Sequence, residues 1–227
     1  MLIDAVKLSL KIAGISMVIS VGMAFIMALY LHKGERKREK ILEAVISFPL
    51  FFPPSVLGYL ILMVVGRRGW LGAWLGDFGI QIVFTWRAGV VAGVIVSLPM
   101  AYQCIKAGLL TIEREYIEAA YEMGANRWER CRYVILPLIR KNIGAAGVLS
   151  FGRAFGEFGA TLMIAGNIPG RTQTIPMAIY SSVERGDYGT ANKLLLIVVA
   201  VTVTVMWGYN HYLAGKREGI FVGRGSL

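Results

Sequence analysis

Arg153 and Glu157 stand four residues apart inside a run of apolar and small residues, 143–164, long enough to cross a bilayer as a helix. One helical turn puts guanidinium and carboxylate on one face, where each neutralises the other. A charge at the centre of a membrane helix is disfavoured by about 2.5–3.5 kcal/mol on insertion scales, so such a pair either locks helix packing or faces a pathway. The residues alone leave both readings open. Gly152, Ala154, Gly156, Gly159 and Ala160 form a small-residue surface around the pair that lets another helix approach closely. Other reactive chemistry is sparse. His32 and His211 have no neighbours at metal-ligand spacing, so no metal site is expected. Cys104 and Cys131 fall in or near a segment expected to face a reducing cytoplasm, so no disulfide is expected either. There is no phosphate-cradling GxxxxGK[ST], and no nucleophile with a base to make a membrane enzyme.

The elements that must carry this pair are apolar helices. With 227 residues, 56% hydrophobic content and a mean hydropathy of +0.60, the chain reads as one polytopic, all-α membrane domain over 1–227. Five spans are expected at 8–31, 41–65, 88–109, 143–164 and 194–214. The first exceeds a signal-peptide core and has no cleavage site after it. The second is interrupted by Pro49 and by Pro53-Pro54, which remove backbone donors and are expected to kink or unwind it. Gly-rich 66–79 with two Trp suits an outer interface, and 167–193 is long enough to hold a short amphipathic helix near 175–184. Of the 24 Lys and Arg, five lie in 33–40, seven in 106–141 and three after 214, and this bias puts those segments in the cytoplasm and the N-terminus outside. Clustering between apolar runs turns the net charge of +10 away from nucleic acid.

Between the third and fourth spans lies a polar stretch, 111–137, that reads as two short helices and a bend. Thr111 is placed to cap the first, with Glu113 and Glu115 near its positive end. Ile112, Tyr116, Ala119, Ala120 and Met123 share one face, and Arg114, Glu115, Glu118 and Glu122 another. Gly124 suits the stop. Asn126 followed by Glu129 predicts a capping box for a second helix running to Pro137. The Ala119-Ala120 pair offers a partner almost no side-chain bulk.

Glu118-Ala119-Ala120, three residues, Gly124, nine residues, Val134, one residue and Leu136-Pro137 together resemble the EAA motif of ABC importer permeases, with Val134 where the family usually has Ile. The stretch SFGRAFGEFGATLMIAGNIPGRTQTIPMAIY, 150–180, is similar to molybdate and tungstate ABC transporter permeases; sulfate permeases share much of its GEFGA and GNI pattern. The resemblance implies a type I importer bundle of about five to six spans in the inner membrane, C-terminus cytoplasmic, with a cytoplasmic coupling helix. It implies a homodimer, two ATP-binding subunits and an extracytoplasmic oxyanion-binding protein, with no cofactor here and ATP and magnesium in the partner. The matching positions assign coupling to Glu115, Glu118, Ala119, Ala120, Gly124, Ala125, Arg127, Leu136 and Pro137. For a dianion, the path would use Ser150, Arg153 and Thr161, with Glu157 balancing the charge, and Arg171 and Thr172 would meet the binding protein. A sulfate or thiosulfate permease is the nearest alternative. An ATP-independent channel or secondary transporter is the alternative of another class.

Overall fold

The computed structural model describes residues 2–31 and 37–214, and every regular element among them is a helix. Lys33, Arg36, Lys216, Arg217 and Arg224, which carry part of the charge argument, lie outside the described residues, as does His32.

Two long helices form the frame. α1 (Leu2–Leu31) and α5 (Trp86–Leu110) meet along a seam of small and hydroxyl residues in which Ser9, Ile12, Ser16, Ser20, Ala24 and Ala28 recur every three or four residues on α1. The Ser16 hydroxyl donates to the Val90 carbonyl at 3.2 Å, Ser20 and Ser97 share a 2.8 Å hydrogen bond, and Ser97 donates to Gly93 at 2.6 Å. Each buried hydroxyl thus finds an acceptor where water is absent. Gly93 makes the approach possible, because a Cβ there would stand 2.4 Å from Ser16 Oγ. Gly93→Leu is expected to destabilise the fold by about 1–3 kcal/mol through overpacking. Gly22→Leu, on an open face of α1, is expected to be near neutral. Thermal unfolding in detergent checks the contrast.

The expected second span is interrupted at its prolines, as their missing donors predict. α2 (Lys37–Ser47) continues as a 3-10 turn at Phe48–Leu50, and α3 (Pro54–Val65) leaves at 117° to it. Pro53 takes an extended conformation (φ −57°, ψ 130°) and Pro54 opens α3, so two consecutive absent donors end one helix and start another. At about 1.5 Å per residue α3 is too short to cross a bilayer alone. An eight-residue helix, α4 (Trp70–Asp77), follows it and leads to α5.

The expected fourth span is broken as well. α8 (Arg140–Phe155) stops, residues 156–158 turn, and α9 (Gly159–Ala165) resumes. α9 packs against α3 at backbone distance: a Cβ on Gly58 would lie 2.7 Å from Ala160 Cα. Of the small residues around the pair, Ala154, Gly159 and Ala160 are used in packing, whereas Gly152 and Gly156 remain exposed.

The segment α10 (Ile175–Glu184) matches the expected short helix, but Ile175 and Met177 are fully buried and the Ile175 amide donates to Ser9 Oγ on α1 at 2.8 Å. The segment that follows α9 is therefore folded into the subunit. α11 (Tyr188–Ala214) starts six residues earlier than expected because Asp187 caps it, accepting from the Thr190 amide at 3.0 Å. Hydrogen bonds from the Thr190 hydroxyl and amide hold the Asp187 carboxyl below its ordinary value. Apolar clusters bind α3, α5 and α9; α1, α5 and α8; and α1, α8, α10 and α11.

Candidate functional site

Helix α5 ends when the Thr111 hydroxyl donates to the Gly108 carbonyl at 2.8 Å and the Thr111 amide turns back to the same helix. Thr111 therefore closes α5 and does not cap the next helix, which corrects the sequence expectation. α6 (Arg114–Glu122) begins with Glu113 in the cap position and Glu115 in its first turn, which suits the helix dipole. Gly124 leaves α6 at φ +82°, and the Ala125 amide donates to the Ala120 carbonyl, closing the helix. Asn126 Oδ1 then accepts from the Trp128 and Glu129 amides at 2.9 and 3.0 Å, while Glu129 Oε2 accepts from the Asn126 amide at 2.7 Å. The expected capping box is present in both directions and starts α7 (Arg127–Leu138).

Pro137 does not end α7. Residues Arg130–Ile135 form a π-turn in which the Leu136 amide reaches back to Cys131. That wider turn carries the chain past the missing proline donor. The helix ends at Leu138, and the chain turns by 72° at buried Ile139 into α8.

α6 and α7 enclose an open apolar cavity of about 540 Å³ lined by Glu115, Tyr116, Ala119, Met123, Tyr133 and Pro137, among others. Ala119 faces out, but Ala120 is 4% exposed and turned into its own chain, so only one of the two alanines is free to meet a partner. Glu118, Gly124 and Arg127 are exposed, and Leu136 and Ala125 are half-buried. Beside the charged face lies an exposed aromatic and thioether surface that charge patterning did not single out: Tyr116, Tyr121, Met123, Trp128 and Tyr133. Trp128 and Tyr133 meet edge to face at 6.4 Å, and the Arg130 guanidinium stands 5.2 Å from the Tyr121 ring. Tyr, Trp, Met and Arg are the residues enriched at protein interfaces. Their frequency in 116–133 was the available signal.

The intramembrane pair is formed. Arg153 Nη1 lies 2.5 Å from Glu157 Oε2, and Glu157 Oε1 accepts from the Ala160 amide at 2.8 Å. One carboxylate thus neutralises the guanidinium and satisfies the first turn of α9. Its side chain is 2% exposed, whereas that of Arg153 is 29% exposed. Ser150 and Thr161 do not share that surface: both are buried within the subunit, and Ser150 Oγ has no hydrogen-bond partner. Enclosed hydroxyls cannot line a path in this conformation, so Arg153 is the member of the group that reaches outward.

In the loop after α9, Arg171 is exposed and Thr172 is not. The Thr172 hydroxyl donates to the Gly166 carbonyl and accepts from the Ile168 amide, both at 3.0 Å, and so closes the loop. Asn167, Gln173 and Ser181 form a hydrogen-bonded cluster beneath it. Thr172 is a loop brace, and the expectation that it meets a partner is corrected.

A bundle of broken and continuous apolar helices joined to a polar helix pair defines the class of polytopic helical membrane proteins. The chain belongs to the family described as binding-protein-dependent transport system inner membrane component, whose model matches residues 20–217. It is 35% identical over 206 residues to the molybdenum transport system permease protein ModB of Escherichia coli K12, covering 89% of this chain and 90% of that one. A chain from inward-facing structures of the MetNI methionine ABC transporter shares the fold at a TM-score of 0.73 and 17% identity, covering 94% of this chain and 95% of that one. A bacterial alginate ABC transporter solved with an alginate-loaded periplasmic protein gives 0.72 at 20% identity, with coverages of 92% and 77%.

Proposed function

We propose that this chain is the membrane-spanning permease subunit of an ATP-driven importer for molybdate and tungstate. The observation that carries the reading is the 35% identity, over nearly the whole of both chains, to a molybdenum transport permease. Molybdate and tungstate are tetrahedral dianions of similar size, and this chain's chemistry does not separate them. Residues 1–227 act as a single transmembrane domain with the N-terminus outside and the C-terminus in the cytoplasm. Two copies surround one path, two ATP-binding subunits sit beneath them, and an extracytoplasmic binding protein delivers the oxyanion from above.

The coupling surface is α6 with the start of α7, where Glu115, Glu118, Ala119, Gly124, Ala125 and Arg127 meet a groove of the ATP-binding subunit, and Leu136 and Pro137 carry the motion toward α8. The exposed Tyr and Trp side chains supply the buried area such contacts need. ATP and magnesium are held and hydrolysed in the partner. Closure of the nucleotide subunits draws α6 inward and opens the path outward; hydrolysis resets it. Arg153, held by Glu157, offers the path an offset positive charge that admits a dianion and still releases it.

Co-purification with the ATP-binding subunit and binding protein, followed by ATPase measurement in liposomes with each oxyanion, tests the reading. Stimulation by loaded binding protein with molybdate or tungstate is expected. Stimulation by sulfate alone would overturn the substrate, and oxyanion flux through the isolated chain without ATP would overturn the class. Within that assay, Arg171→Glu is expected to weaken stimulation by the binding protein several-fold at low salt, converging with wild type as salt rises. Thr172→Val is expected to lower stability and leave the affinity for binding protein unchanged.

A further inference from the structure

α2 is amphipathic, but it is mounted in reverse. Its polar side faces the protein: Glu43 accepts from the Tyr102 hydroxyl at 2.7 Å and pairs with Lys106 Nζ at 2.5 Å, and one turn later Ser47 accepts from Gln103 at 3.2 Å. All three partners belong to α5. Ile46, on the same side, packs on the apolar cluster of α1, α5 and α8. The opposite side carries Ile41, Leu42, Val45 and Phe48, 54%, 46%, 63% and 44% exposed, and α2 has no buried residue at all. A helix bound through its carboxylate and hydroxyl while presenting its aliphatic edge outward is built for an apolar surrounding.

Charge identifies that surrounding. Lys37, Arg38 and Lys40 are exposed and sit on the first turn of α2, next to the aliphatic edge; Glu39 is the one acid among them, one turn before Glu43 and half-buried. Cations flanking an aliphatic edge match a bilayer interface, with stems along the acyl chains and heads at anionic phosphates. The 117° turn between α2 and α3 shows that α2 does not continue α3 as one straight span, which leaves it free to lie along the interface.

We propose that α2 lies in the plane of the cytoplasmic leaflet, its Ile41–Val45–Phe48 edge in the acyl region and Lys37, Arg38 and Lys40 on anionic phospholipid headgroups. Through Glu43 it holds the last turns of α5, immediately before the coupling helices, at a fixed depth in the membrane. The side of the membrane, and a second crossing made by residues 48–65 rather than by α3 alone, rest on the topology proposed above.

The test uses the full permease–ATPase complex, in a Cys104→Ala/Cys131→Ala background, in nanodiscs containing phosphatidylglycerol. Nitroxides are attached through Ile41→Cys, Val45→Cys and Ser47→Cys. Collision with oxygen is expected to exceed collision with a water-soluble nickel chelate at 41 and 45, and both are expected to be low at 47. High nickel access at 41 and 45 means an aqueous face and overturns the proposal. Low access to both reagents at 45, with dipolar broadening, means a second copy covers the edge and overturns it too. Lys37→Gln/Arg38→Gln/Lys40→Gln is expected to weaken selectivity for spin-labelled phosphatidylglycerol over phosphatidylcholine about five-fold per cation removed; unchanged selectivity overturns the headgroup contact. Labelling of Glu118→Cys by an impermeant maleimide in inside-out but not right-side-out vesicles reads the topology separately, so an error there is not mistaken for an error in α2.

Discussion

Glu157→Ala is expected to destabilise the chain by about 3–5 kcal/mol, because it leaves the Arg153 guanidinium without its counter-charge inside the membrane. About 1 kcal/mol more follows from the uncapped Ala160 amide at the start of α9. The measurable results are a lower unfolding midpoint in detergent and little assembled complex. Arg153→Met should be at least as damaging, since the carboxylate it abandons is the more deeply buried partner. Arg153→Met/Glu157→Met should then recover folding, because replacing a buried ion pair by packed apolar side chains is often neutral or stabilising. That double variant separates the two readings of the pair. Recovered oxyanion uptake would mark the pair as a packing lock. A folded, assembled complex without uptake would mark Arg153 as part of the path. A double variant as unstable as the singles would show that the two residues do not act as a unit.

Gly124→Val is expected to abolish binding-protein-stimulated ATPase and uptake while leaving the membrane bundle folded. At φ +82° a β-branched residue is strained by about 1–3 kcal/mol, yet a Cβ there meets nothing within 4 Å, so the penalty lies in the backbone. The chain relieves it by rotating away from the left-handed region. Gly124 is the joint between α6 and the Asn126 capping box, so that rotation re-aims the coupling surface relative to α7 and the cavity between them. Gly124→Asn should retain most activity, because asparagine tolerates this conformation. Equal loss in both variants would locate the defect in side-chain bulk against the ATP-binding subunit rather than in the turn.

What could be read from the sequence was local. The Asn126–Glu129 box, the Gly124 stop, the bounds of α10 and the Arg153–Glu157 pair each depend on residues within four or so positions of one another, and each formed as expected. Thr111 looked like a cap for α6 because its side chain suits that role, but the last turn of α5 claimed it first. Thr172 was expected to meet the binding protein, but the loop folds back upon its hydroxyl. The α1–α5 seam could not be anticipated from either partner, since Ser16 and Gly93 are far apart in sequence and neither has meaning without the other. Pro53-Pro54 announced the break in the second span but not its 117° sweep, whereas the fourth span was expected to be continuous, with neither the turn at 156–158 nor the use of Glu157 inside it foreseen. Along 111–137 helical spacing picked out Tyr116 and Met123, whereas Tyr121, Trp128 and Tyr133, also exposed, fell outside that face.

The low enclosure of α11 bears on the order in which the subunit is made. Only 11% of its apolar window is buried, against 67% for α5, and its main buried anchor is Leu194 near the start. Every helix that closes around Gly58, Gly93 and Ala160 has been synthesised once residue 165 is made, and α11 adds nothing to those contacts. A chain ending at Asp187 is therefore expected to give a protease-resistant fragment in membranes. Synthesis completes the rigid part first and supplies last a helix whose surface is still almost entirely uncommitted to its own chain.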